Sequence, residues 1–108
     1  YIITSGVSPK DFVTNEWAVG MHDQALMCLK NIQTILETAG ATLEDLISIE
    51  VYINDVRWYK EFNDVWNEFF ADVKCPPTRS TFQLGLLAPN MHIEMRAYAV
   101  KNTKYVEE

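Results

Sequence analysis

The stretch LEDLISIEVYIND, residues 43–55, decides the fold. Ile47, Ile49, Val51 and Ile53 alternate with Ser48, Glu50 and Tyr52, and a period of two belongs to a pleated strand with one buried face. On either side the period changes to that of a helix. Upstream, from about Met21 to Ala39, the apolar residues Leu26, Leu29, Ile32, Leu36 and Ala39 recur at helical spacing, and Gly40 supplies a left-handed stop. Downstream, Asn54 or Asp55 can cap a second helix running to about Phe70. Trp58, Phe62, Val65, Trp66 and Phe69 form a wide aromatic stripe on it, with Asn63 at the edge.

Working outward, YIITSG at residues 1–6 reads as a short strand interrupted by Ser5-Gly6, and the chain through Trp17 as a turn and a weak strand. After Pro76-Pro77 a strand is expected from about Arg79 to Leu86, then a turn around Pro89-Asn90 and a strand from His92 to about Lys101. Helices this apolar on one stripe must pack on a sheet. The expectation is one α+β domain over residues 1–108, two layers deep, with a mixed sheet and both helices on one face. Alternation puts Arg79, Thr81, Gln83 and Gly85 on one side of their strand and Ser80, Phe82, Leu84 and Leu86 on the other. If the apolar sides meet the helices, the opposite sheet face carries Glu50, Tyr52, Thr81, Gln83, Glu94, Arg96 and Tyr98, a mixture suited at least as well to a subunit interface as to a solvated face.

Composition narrows the function. The 108 residues are 48% hydrophobic and 12% aromatic, enough for one core. No apolar run approaches the ~20 residues needed to cross a bilayer, and no charged-then-apolar leader opens the sequence, so a soluble, cytoplasmic protein is expected. Cys28 and Cys75 are expected as free thiols, Cys28 facing the core. His22 and His92 lie far apart without a ligand-like carboxylate spacing, which speaks against a metal site. The net charge is −6 and the nine Lys and Arg are scattered, whereas nucleic-acid binding needs clustered positive charge, so RNA or DNA is disfavoured as a partner.

The segment PTRSTFQLGLLAPNMHIEM, residues 77–95, resembles the signature of the Rid family, the YjgF-like reactive-intermediate (enamine/imine) deaminases also described as endoribonuclease L-PSP-like. It combines Pro-x-Arg-Ser, an apolar strand with Gly85, a short turn and Ile-Glu-Met at a constrained distance. IITSG, LETAGATLEDLISIEVYIND and FNDVWNEFF are similar to further family segments, so the likeness covers essentially the whole chain. It implies a chorismate-mutase-like subunit, a homotrimer with a central barrel, and ligand sites in the clefts between subunits. It also implies that Arg79 binds the substrate carboxylate, that Glu94 helps to place a water, that Ser5-Gly6 lines the pocket, and that the backbone at Thr81 lies there. Three features depart from the family pattern: the chain begins at the segment that usually follows an N-terminal hairpin strand with a ligand-side tyrosine, Val7 stands where Gln is frequent, and Thr81 where Cys is frequent.

The chemistry of the residues agrees with these roles. By itself an arginine after two prolines reads as a surface cation, and a strand glutamate as a partner of Arg96. In the signature, Arg79 offers a permanently charged planar fork that matches a carboxylate, and Glu94 could accept a proton or hold water. Asn63 is read as a ligand contact or as a tie from the helix to a neighbouring loop. The expected activity is cofactor-free hydrolytic deamination of small 2-imino or enamine acids, such as 2-aminoacrylate tautomers, to 2-oxo acids and ammonia. The alternatives are a trimer that binds small carboxylates without turnover, and an endoribonuclease.

Overall fold

The computed structural model describes residues 1–85 and 90–101. The first helix, α1 (Met21–Thr38), buries Met21, Ala25, Cys28, Leu29, Ile32 and Leu36 on one stripe and ends at Gly40, whose φ of +80° lets the chain turn away. Ala39 falls at this cap and is exposed rather than part of the stripe. The second helix, α2 (Tyr59–Phe69), follows a 3-10 turn at Val56–Trp58. Asp55 caps that turn by accepting from the backbone N–H of Arg57 at 2.9 Å.

Four strands form one sheet: β1 (Ile2–Ile3), β2 (Leu46–Ile53), β3 (Thr78–Gln83) and β4 (Ile93–Ala99), in the order β1-β4-β2-β3. β4 runs antiparallel to β1 and β2, whereas β3 is parallel to β2 because the chain crosses over through α2 between them. The two-layer α+β architecture expected from the periodicity is the one observed. Its core joins Leu29, Ile32 and Leu36 of α1 and Phe62, Val65 and Trp66 of α2 to Ile49, Val51 and Ile53 of β2 and Ile93, Met95 and Ala97 of β4.

Two details differ from the period-two reading. Ile47 is 44% exposed and Leu46 is buried in its place. Leu46 pairs with Ala99 and Ser48 with Tyr98, so Ile47 is an extra residue in β2, and a bulge of this kind shifts the face on which the alternation starts. The second correction concerns β3. Parallel pairing sets Arg79 beside Ile49, Thr81 beside Val51 and Gln83 beside Ile53, so these three residues lie on the helix side of the sheet. Phe82 lies on the open face, where its ring stacks on Tyr52 at 5.8 Å between centroids. The reason is the place of β3 at the sheet edge: above it the aromatic stripe of α2 accepts a guanidinium as readily as an aliphatic group, while Tyr52 offers Phe82 a partner below. The open face therefore carries Ser48, Glu50, Tyr52, Ser80, Phe82, Glu94, Arg96 and Tyr98. β3 ends at Gln83, although the N–H of Leu84 still donates to the carbonyl of Ile53 at 2.9 Å. Leu86 and Pro89, expected at the strand end and the turn, lie outside the described residues.

Candidate functional site

Arg79 occupies the second position of β3 and rises against α2. Its guanidinium carbon lies 5.1 Å from the ring centre of Phe62, 5.0 Å from that of Trp66 and 5.7 Å from that of Tyr59. One terminal nitrogen donates to Asn63 Oδ1 at 2.8 Å and the other to the Tyr59 hydroxyl oxygen at 2.9 Å. Both acceptors are neutral, and among the described residues no carboxylate stands within ion-pair distance. A guanidinium has five N–H groups, so each terminal nitrogen keeps one donor and Nε another. The result is a cation held by aromatic faces and neutral oxygens, with its anion-binding capacity unspent.

The Arg79 environment contradicts the simple picture of a strand-entrance cation with no part in packing: the residue is half-buried and supported on three rings. Asn63 is the tie between α2 and β3 that holds the fork. Tyr59 escaped the sequence reading, although its spacing of four residues from Asn63 puts both on one helix face, which is the signal that could have found it. Thr81 follows on the same side of β3, and its hydroxyl oxygen is shut off from solvent with no hydrogen-bond partner among the described residues.

Glu94 belongs to a different neighbourhood. It pairs across β4 with Tyr52 and is half-buried on the open face. Opposite it, Thr4 bonds to Ala97 and Val7 to Met95, so three steps of the N-terminal segment match two steps of β4 and Ser5-Gly6 is pushed into a bulge. A Cβ on Gly6 would collide with the Glu94 carboxylate, lying 3.0 Å from its carbon. Only glycine leaves the carboxylate this position. Gly6 thus lies against Glu94, with Ser5 beside it in the same bulge.

Helix α1 holds the two backbone segments around Glu94 through a line of buried polar groups. Gln24 donates to the carbonyls of Ala18 at 3.0 Å and Asn90 at 2.6 Å and accepts from the His92 N–H at 2.7 Å. Asn31 donates to the carbonyls of Ser8 at 3.0 Å and Lys10 at 2.8 Å. Between them Cys28 points its thiol at the Val7 carbonyl, 3.5 Å away, and burial, followed by the nearby Glu94 charge, raises its pKa far above the usual thiol range. Cys28 is buried and free, as expected; Cys75 is free and exposed. The spacing Gln24, Cys28, Asn31 follows the apolar stripe, and an apolar pattern search passes over it.

Elsewhere on the open face the Tyr98 hydroxyl donates to Glu50 Oε1 at 2.7 Å, and this bond, ahead of burial, raises the Tyr98 pKa. His22 contacts Asp23 in the first turn of α1, and His92 packs its ring on Trp58 at 5.5 Å before β4 begins. Concavities lined by His22, Leu26, Val65 and Phe69, and by Trp17, Val19, Gln24 and His92, contain neither Arg79 nor Glu94.

Arg79 and Glu94 do not meet within one chain. They stand on strands separated by β2, and on opposite faces of the sheet. The subunit carries two half-sites: a cationic one built from Arg79, Asn63, Tyr59 and Thr81, and a carboxylate one built from Glu94, Ser5 and Gly6.

Residues 1–101 match the family model described as Endoribonuclease L-PSP. The chain belongs to this family, that of the YjgF/Rid proteins. A RutC family protein of Aquifex aeolicus is 32% identical over 96 residues, which cover 89% of this chain and 74% of that protein. An Escherichia coli protein named "Putative reactive intermediate deaminase TdcF" is 32% identical over 102 residues, covering 94% of this chain and 79% of the relative. Among solved structures, E. coli TdcF with bound serine superposes with a TM-score of 0.86 at 33% identity, covering 93% of this chain and 80% of that one. The E. coli YjgF gene product gives 0.85 at 30% identity, covering 91% and 78%. The YjgF/Rid fold of two helices on a four-stranded mixed sheet is thereby shared with these solved proteins.

Proposed function

We propose that this chain hydrolyses small reactive 2-imino or enamine acids to 2-oxo acids and ammonia, with water as the only co-reactant. The observation that carries the reading is Arg79: a guanidinium oriented by two neutral acceptors and three rings, with no carboxylate among the described residues to neutralise it. Such a fork is suited to a carboxylate ligand. The name of the TdcF relative supports the deaminase class, and serine, which is bound in the TdcF structure, carries a carboxylate of the kind such a fork holds.

In the proposed reaction Arg79 anchors the substrate carboxylate and fixes the position of the imine carbon. Water, oriented by Glu94 and a backbone carbonyl near Thr81, adds its oxygen to that carbon while its proton moves to the imine nitrogen. The hydroxyl proton of the tetrahedral aminoalcohol then passes to its nitrogen, a C=O bond forms as the C–N bond breaks, and ammonia leaves. Imine and water become ketone and ammonia, with no change in oxidation state.

The separation of Arg79 from Glu94 supports completion of the site by a second subunit, and a homotrimer is part of the proposal. The open face suits such contacts: Phe82 is 46% and Ile3 55% exposed beside the polar groups of Tyr52, Tyr98 and Glu50. The endoribonuclease alternative is disfavoured by the charge of −6. The test generates 2-iminopropanoate in situ and follows ammonia release, with light scattering in parallel. Faster ammonia release than the uncatalysed rate, lost in Arg79→Ala and normalised to folded protein, is expected. A monomer of 12.5 kDa at micromolar concentration would refute the shared site. Carboxylate binding without turnover would leave a binding protein instead of an enzyme.

A further inference from the structure

Tyr59 stands one helical turn before Asn63, and both turn their oxygens to the Arg79 guanidinium. The placement of protons there follows from chemistry. A guanidinium donates and never accepts, so at 2.9 Å the Tyr59 oxygen is the acceptor and its own O–H proton must point away from the cation. No described residue takes that proton in a hydrogen bond. Tyr59 is 43% exposed, so a ligand arriving from solvent at the fork can reach this donor. A plain carboxylate occupies its two oxygens on the guanidinium. A ligand with one more acceptor on the adjacent carbon can also take the phenol proton.

We propose that Tyr59 determines specificity at this site, its phenol O–H selecting carboxylates that bear an oxygen or nitrogen acceptor on the adjacent carbon over plain alkanoates. The inference rests on the carboxylate reading of Arg79 and deepens it, but it does not depend on turnover. The ring is already fixed by its edge contact with Phe62, 6.3 Å between centroids, so removal of the hydroxyl alone leaves the packing in place.

Calorimetric titration of the full chain and of Tyr59→Phe with propanoate and 2-oxopropanoate tests this. The unaltered protein is expected to bind 2-oxopropanoate about tenfold tighter than propanoate, an increment of ~1.4 kcal/mol. Tyr59→Phe is expected to lose the preference, its affinity for 2-oxopropanoate falling about tenfold further than its affinity for propanoate. A preference that survives in Tyr59→Phe overturns the proposal. Equal weakening for both ligands overturns it too, because the phenol would then only support Arg79, and so does a failure of the unaltered protein to bind either acid. Imine hydrolysis is measured separately, so a Tyr59-dependent preference without turnover would refute the deaminase reading and leave this one standing.

Discussion

Replacing Arg79 by Ala is expected to weaken the fold as well as empty the site, and the two effects can be separated. The side chain stacks on Phe62 and Trp66 and bonds Asn63 and Tyr59. Loss of the cation–ring contact at a half-exposed position costs ~1 kcal/mol. Stripping the partner from the half-buried Asn63 oxygen costs about 1 kcal/mol more, and the aliphatic stem contributes a further ~0.5–1 kcal/mol of packing. The Tyr59 oxygen adds little, since water can replace the guanidinium there. The sum is roughly 2.5–3 kcal/mol, a large share of the usual ~5–15 kcal/mol for a domain. Urea unfolding at fixed protein concentration reads it, because any subunit association makes apparent stability concentration-dependent. Arg79→Lys keeps the charge and most of the stem and should lose only about 1 kcal/mol, yet it should bind carboxylates poorly for want of a planar fork. An Arg79→Ala protein within about 0.5 kcal/mol of the original would refute the reasoning, since the ring and Asn63 contacts would then carry no weight.

Three further outcomes are expected. Gly6→Ala should cost less than about 1 kcal/mol in urea unfolding, because the carboxylate end of Glu94 can swing aside, while ammonia release falls at least tenfold; unchanged turnover would detach Glu94 from the site. Thr81→Val should raise stability by about 1 kcal/mol and leave turnover intact, since it removes a buried hydroxyl without a partner among the described residues; destabilisation would show that the hydroxyl has one. Gln24→Leu keeps the volume but orphans the Ala18 and Asn90 carbonyls and the His92 N–H, so thermal unfolding should register a loss of roughly 3 kcal/mol; a loss under about 1 kcal/mol would mean that water satisfies these groups.

What the sequence by itself determined was whatever a local period can carry. The stripe of α1, the aromatic stripe of α2 and the alternation of β2 and β4 each follow from residues within a few positions of one another, and the α+β class follows from their order. The likeness of residues 77–95 to a known signature brought in Arg79 and Glu94, and Ser5 and Gly6 with them. Only the tertiary structure decided which way β3 faces. Its alternation of polar and apolar residues suggested Phe82 towards the helices, but an edge strand chooses its face by the partners on each side, and Phe62 and Trp66 above with Tyr52 below reversed it. Ile47 was misplaced for a related reason: a single extra residue shifts the face of a strand, and its presence depends on β4, far along the chain. The support of the half-sites was hidden by the same distance. Gln24 and Asn31 lie on an apolar stripe and Tyr59 in an aromatic one, and what they hold is backbone or guanidinium from remote parts of the chain. The opposite faces of Arg79 and Glu94 are likewise a property of strand pairing, and hydrogen-bond register between distant segments leaves no mark in a local pattern.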